Sequence, residues 1–202
     1  VNGLASGHSG VEIHKGRANA NVLMGRLLGV LSDKLPFVLV TLEGGSRETA
    51  IAASASAVIG VAGGDVDAAV QTVSDYGGVL AKEYATAEPG LKVSAKALGP
   101  DTVDALDADS TSLVTRLLLS LPDGVQAMSV DMPGLVQTSL NFGILQLRDT
   151  ELYCANTVRS SMTSQKQWIL DKVSAVVALA GGVTEISGSY PGWSYNPHSE
   201  GL

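Results

Sequence analysis

Leu23, Leu27, Leu28 and Leu31 recur at the spacing of one helical face, and Pro36 closes the segment, so the pattern predicts a helix over 17–32. The β-branched run at 36–42 reads as a strand. After the turn Gly44-Gly45-Ser46-Arg47, residues 49–61 alternate small with apolar side chains, as a half-buried strand does. Asp65 is a good N-cap for a second helix over 66–87, ended by Pro89-Gly90, and 91–98 follows as a strand. Asp101 is expected to cap a third helix reaching Leu121, where Pro122-Asp123-Gly124 forms a turn. Residues 134–147 and 151–160 read as a hairpin around Arg148-Asp149-Thr150. Residues 164–180 read as a helix ended by Gly181-Gly182, and 183–189 as a last strand.

The order helix, strand, strand, helix, strand thus occurs once before residue 99 and again after residue 100. That order predicts an α+β fold: an antiparallel-rich sheet with helices packed on one face, from a βαββαβ-like unit duplicated as pseudo-repeats of about 1–99 and 100–190. Apolar residues on both sides of the strand pattern leave the second face wanting a partner.

Composition narrows the functional classes. Hydrophobic residues make up 45% and aromatics only 4%, so the core must be aliphatic and disorder is excluded. Thirteen Lys and Arg against twenty Asp and Glu give a net charge of −7, with no basic run to neutralise phosphates, which argues against nucleic acid as a partner. The uncharged stretch 49–64 falls short of the roughly twenty apolar residues of a membrane span, so no membrane partner is expected. A single cysteine, Cys154, fits a reducing, cytoplasmic setting. The chain opens on Val1 without a methionine and is expected to be cut from something longer.

Among candidate residues, His8 stands out in Ser6-Gly7-His8-Ser9-Gly10. Flanking glycines let the backbone approach a ligand, and an exposed imidazole can donate a hydrogen bond or take a proton near neutral pH. The competing reading is a turn whose histidine faces water. His14 reads as structural, and His198 lies in a tail resembling a linker. No His-x-Asp or Cys-x-x-Cys spacing offers a metal site, and no glycine-rich phosphate pattern is present. Cys154 has the profile of a small buried hydrophobe. Arg159, after an apolar strand, suits a two-pronged grip on a carboxylate or a surface salt bridge. Asn141 is an amide in a strand suited to burial, where it needs partners from a neighbouring strand or a ligand.

The motifs also carry a resemblance. Gly7-His8-Ser9-Gly10 with Glu12-Ile13-His14, then Arg17-Ala18-Asn19-Ala20-Asn21, resembles the start of the insertion domain of aminoacyl-histidine dipeptidases (Xaa-His dipeptidases, bacterial carnosinases). Gly44-Gly45 before Ala50-Ile51, Thr138-Ser139-Leu140-Asn141 with Gly143, Val158-Arg159-Ser160 and Tyr190-Pro191-Gly192-Trp193 keep that family's order.

The resemblance implies that 1–202 is the lid and dimerisation domain of a zinc metallodipeptidase, with 190–202 a linker back to a catalytic domain holding two zinc ions. It implies a homodimer, a dipeptide substrate, and inactivity of the chain alone. His8 matches a lid histidine that polarises the scissile carbonyl, Arg159 a lid arginine that holds the substrate carboxylate, and Asn141 a substrate-binding asparagine. Where the family often has Asn-Ala-Ile-Pro, this chain has Thr49-Ala50-Ile51-Ala52, so Thr49 stands in for an amide of longer reach. A stand-alone homodimerising binding module, or a spacer with no contact to the chemistry, are the competing readings.

Overall fold

The computed structural model describes residues 1–189. At the N-terminus a two-residue strand β1 (Gly7–His8) runs into a single-turn helix α1 (Ser9–Glu12) and a 3₁₀ turn at Ile13–Lys15. Helix α2 (Ala20–Ser32) follows, capped by Asn19, whose side chain accepts the Asn21 N–H at 3.0 Å. Its leucines Leu23, Leu27, Leu28 and Leu31 are all buried, which is the apolar stripe that defines it. Then come β2 (Val38–Gly44), β3 (Ala50–Ile51), β4 (Ala55–Gly60), α3 (Val66–Glu83), α4 (Ala108–Ser120), β5 (Gly124–Met128), β6 (Val136–Arg148), β7 (Glu151–Ser160) and α5 (Thr163–Leu179).

The fold is α+β, as expected, and every strand pairing is antiparallel. The main sheet is organised by β6. On one side β6 pairs along its length with β7; on the other it meets β2 at Gln146 and Leu145, and β5 from Leu140 to Val136. Beyond β2 lies β4, an edge strand. Helices α2, α4 and α5 cover one face, and α3 packs on α2. Between helices and sheet sit Leu39, Leu42, Leu140, Phe142, Leu145 and Ile169, all essentially inaccessible. Burying such side chains, at about 25 cal/mol per Å² of apolar surface, is the main force holding the layers together.

Several elements differ from the sequence expectation. The strand expected over 49–61 breaks in two. Ala52 O accepts from Ala20 N and Ser54 O from Gly45 N, both at about 3 Å, so β3 leaves the main sheet and pairs with β1 instead. Residues 91–98 form no strand: only Lys92 bridges, to Asn2. The third helix starts at Ala108, because Asp107 rather than Asp101 caps it, accepting from Ser110 N at 2.7 Å. Strand β5, over Gly124–Met128, was not anticipated and follows directly on the turn expected at 122–124, while 183–189 takes no regular structure. The expected order of elements therefore loses its closing strand in both halves, and the second half gains β5. Tyr190-Pro191-Gly192-Trp193, His198 and the expected linker 190–202 lie outside the described residues.

Among the described residues no helix is long and apolar enough to cross a membrane. Cys154 packs against the core, and burial pushes its thiol up to about 12, which removes it as a nucleophile near neutral pH.

Candidate functional site

The sheet face opposite the helices carries the site. Leu140 and Phe142 point into the core, so the intervening Asn141, with its register neighbour Thr157, points the other way; Arg159, opposite Ser139, shares that face. Loop 45–49 crosses this face at close range. Gly45 has φ 68°, and a Cβ there would lie 1.8 Å from Gly143 O; a Cβ on Gly143 would lie 2.5 Å from Glu48 O. Only glycine allows that approach on both sides.

Asn141 fixes the loop. Its Nδ2 donates to Glu48 O at 2.7 Å and Ala50 O at 2.9 Å, and Thr157 Oγ1 donates to Glu48 O at 2.9 Å. Strand β3, thus tethered, pairs with β1 in the register Gly7 to Ile51 and His8 to Ala50. Ser6 Oγ donates to Ile51 O at 2.5 Å, and Ser9 N donates to Thr49 O at 2.9 Å. Ser6 itself sits at φ 57° and Gly7 at φ 138°, so the backbone entering His8 is held in a sparsely populated conformation by these bonds.

His8 is exposed, and its Nδ1 accepts the Gly10 N–H at 3.2 Å, capping α1. A neutral imidazole whose Nδ1 is an acceptor carries its proton on Nε2, so the outer nitrogen is a free donor. Arg159 stands beside it. A methyl group built on Gly10 would lie 3.0 Å from His8 Cε1 and 3.2 Å from both Cζ and Nε of Arg159. Arg159 Nε is buried without a hydrogen-bond partner, as are Ser9 Oγ and Asn141 Oδ1. Nearby, Glu12 is held below the usual carboxylate range, first by the Lys15 hydrogen bond and then, against some burial, by Arg17, with which it pairs at 2.5 Å. Their ion pair sits where a Cβ on Gly7 would fall.

The four residues singled out in the sequence therefore divide. His8 and Arg159 converge around Gly10. Asn141 is 1% exposed and committed through its N–H groups to the loop, and Thr49 is exposed on that loop with its carbonyl engaged by Ser9. The sequence reading missed Glu88, 2% exposed, which accepts from Ala5 N at 2.6 Å and Ala18 N at 3.1 Å. Among the described residues no group of three or more His, Cys, Asp and Glu could hold a metal ion. The zinc pair that the resemblance implies is placed by it in a catalytic domain, not among these residues.

Residues 1–87 match the family described as Peptidase dimerisation domain. Over nearly its whole length the chain is similar to dipeptidases, so the resemblance read from its motifs, to the dimerisation domain of a dipeptidase, holds. It is 36% identical over 199 residues to the cytosol non-specific dipeptidase of Escherichia coli (strain K12), a match covering 98% of this chain and 41% of that protein. It is also similar to the crystal structure of aminoacylhistidine dipeptidase from Vibrio alginolyticus, with TM-score 0.92 and 32% identity, covering 98% of this chain and 40% of that one. The chain thus spans about two fifths of the length of these relatives.

Proposed function

We propose that the chain serves as the lid and dimerisation domain of a zinc dipeptidase that hydrolyses Xaa-His or similar dipeptides in the cytoplasm. In this reading the two zinc ions belong to a catalytic domain of the same polypeptide. The chain on its own is inactive, and purified chain with added zinc should release no amino acid from a dipeptide; measurable hydrolysis would refute this. A relative named for the cytosol supports the compartment.

The observation that carries the reading is the convergence beside Gly10 of two donors from different elements: the Nε2–H of the exposed His8 on β1 and the buried, unpartnered Arg159 Nε on β7. A buried donor left unpaired costs about 1–3 kcal/mol, an expense that makes sense where a ligand satisfies it. Arg159 receives the substrate's carboxylate. His8 donates to the carbonyl oxygen as negative charge develops on it, and Thr49 borders the same site. Asn141 keeps the loop carrying Thr49 and β3 in place. A preorganised donor of this kind typically supplies a rate factor of about 10²–10³.

Dimerisation is assigned to the β4 edge. Val1 pairs only with Ala55, and from Ser56 onward the outer side of β4 meets no strand among the described residues. Its sequence, Ala55-Ser56-Ala57-Val58-Ile59-Gly60, has no charge or proline to discourage pairing, so a second copy can extend the sheet across a two-fold axis.

The test of the site is His8→Ala in the full-length dipeptidase. We expect kcat to fall about 10²–10³-fold with KM little changed. An unchanged kcat would remove His8 from the chemistry.

A further inference from the structure

We infer that Glu88 is a positioning residue for His8, an assignment that rests on and deepens the reading just given. Segment 5–18 carries His8 and α1, packs its 3₁₀ turn beside β5 and β6, and runs into α2. Both of its ends are held by one carboxyl group: Glu88 Oε2 accepts from Ala5 N at 2.6 Å and Oε1 from Ala18 N at 3.1 Å. Ala5 is one residue before Ser6, whose left-handed backbone turns the chain toward His8, and Ala18 is one residue before the α2 cap Asn19. The loop is therefore closed at its neck by a side chain from elsewhere.

Glu88 is itself fixed. Its N–H donates to Tyr84 O at 2.8 Å and its carbonyl accepts from Leu91 N at 3.0 Å, which anchors it just beyond the end of α3. It is nearly inaccessible, and among the described residues no lysine or arginine forms an ion pair with it. A buried acid whose two oxygens are both spent on backbone N–H groups of one loop has no evident duty except to set that loop's place. The bonds closer to His8, from Ser6 Oγ to Ile51 O, from Ser9 N to Thr49 O and from Gly10 N to the imidazole, tie the loop to β3 and to itself, and Glu88 adds the contact that closes its two ends. A carboxyl clamp at the neck makes the direction of the Nε2–H reproducible to the fraction of an ångström that oxyanion stabilisation demands.

Glu88→Gln keeps the shape but turns one acceptor into an N–H₂ group facing a backbone N–H, so one end of the loop is released. In the isolated chain, at least one of the Ala5 and Ala18 amides should exchange with solvent about tenfold faster in the variant; unchanged exchange at both overturns the clamp. In the full-length enzyme, Glu88→Gln should lower kcat about tenfold with KM within about twofold. The same substitution made on His8→Ala should lower kcat less than twofold, because the residue acts through the imidazole. Equal losses in both backgrounds, or no loss with His8 present, overturn the assignment of Glu88 while leaving His8 in place. An unchanged kcat in His8→Ala alone overturns the reading of His8, and the role of Glu88 with it. Should Glu88→Gln fail to fold, Glu88→Asp, which draws the acceptors back by one methylene, is read in the same two backgrounds against the same thresholds.

Discussion

At Phe142, strand β6 has left β2 and met β5, and its backbone groups on that side would be unpaired but for three side chains. Asn19 and Asn21 each donate from Nδ2 to Phe142 O at 3.0 Å, and Asp123 Oδ1 accepts both Phe142 N, at 2.7 Å, and Asn19 Nδ2, at 3.0 Å. One residue earlier, on the open face, Asn141 and Arg159 belong to a second polar group, and there Arg159 Nε and Asn141 Oδ1 end on nothing. Both clusters reach strand β6, and each leaves one amide oxygen unpartnered, Asn21 Oδ1 in the first and Asn141 Oδ1 in the second; only the second also leaves a charged donor, Arg159 Nε, unpaired. The first turns inward and replaces missing strand pairing, so its worth is stability. The second leaves the Arg159 Nε–H for something outside the chain, and in the function proposed above its worth is binding. Burial alone does not mark a functional polar cluster; the direction in which its valence is left open does.

The sharpest way to break this contrast is Asn19→Ala. It removes the α2 cap, one donor to Phe142 O and a donor to the buried Asp123 carboxyl at once. We expect a loss of about 4 kcal/mol in denaturant unfolding, since a buried acid stripped of a partner and a lost cap are each costly. A loss below about 1 kcal/mol would mean that the cluster does not substitute for strand pairing.

The next effect concerns pH. Burial raises the Asp123 carboxyl to about 6, outweighing the hydrogen bonds from Phe142 N and Asn19 that favour its charged form. Because the folded value lies above the ordinary 3.8, the native state holds this proton over a range where the unfolded chain has released it. Its contribution is therefore fully present at low pH and is lost as pH rises from about 4 to about 6, by about 3 kcal/mol. Asp123→Asn keeps an acceptor oxygen and abolishes the titration. The difference in unfolding free energy between wild type and variant should shift by that amount across this window and stay flat above it; a constant difference from pH 4 to 7 would contradict the assignment.

These two clusters also separate what the chain shows locally from what it does not. Helix α2 was legible in four leucines at helical spacing, the β6–β7 hairpin in two apolar runs around Arg148-Asp149-Thr150, and the His8 turn in its flanking glycines. Asn141 was legible as an amide needing partners. Glu88 and Asp123 were not. One precedes Pro89-Gly90 and the other Gly124, so both read as turn residues, while the partners of Glu88 lie 83 and 70 residues away and those of Asp123 lie 104 and 19 away. The split of 49–61 into two sheets had the same origin, for it depends on Ala20 and on a glycine contact with β6. Periodicity reports only which side of an element is buried, and these residues owe their roles to what happens to face them.

The smallest expected effect on stability is at Arg159, and its smallness carries the argument. If the open cluster were structural, truncating a half-buried arginine would cost several kcal/mol, as a broken buried ion pair does. Arg159 has no such partner: its Nε is orphaned, and it forms no salt bridge among the described residues. Arg159→Ala should therefore change the unfolding free energy by less than about 1 kcal/mol, since the lost packing of its stem is offset by relief of the unpaired donor. In the full-length dipeptidase the same change should raise KM at least about tenfold for substrates with a free carboxylate and leave KM for amidated substrates nearly unchanged, because a charge-assisted, two-pronged hydrogen bond is worth about 1.5–3 kcal/mol. A large loss of stability with equal KM changes for both substrates would move Arg159 into the closed class with Asp123.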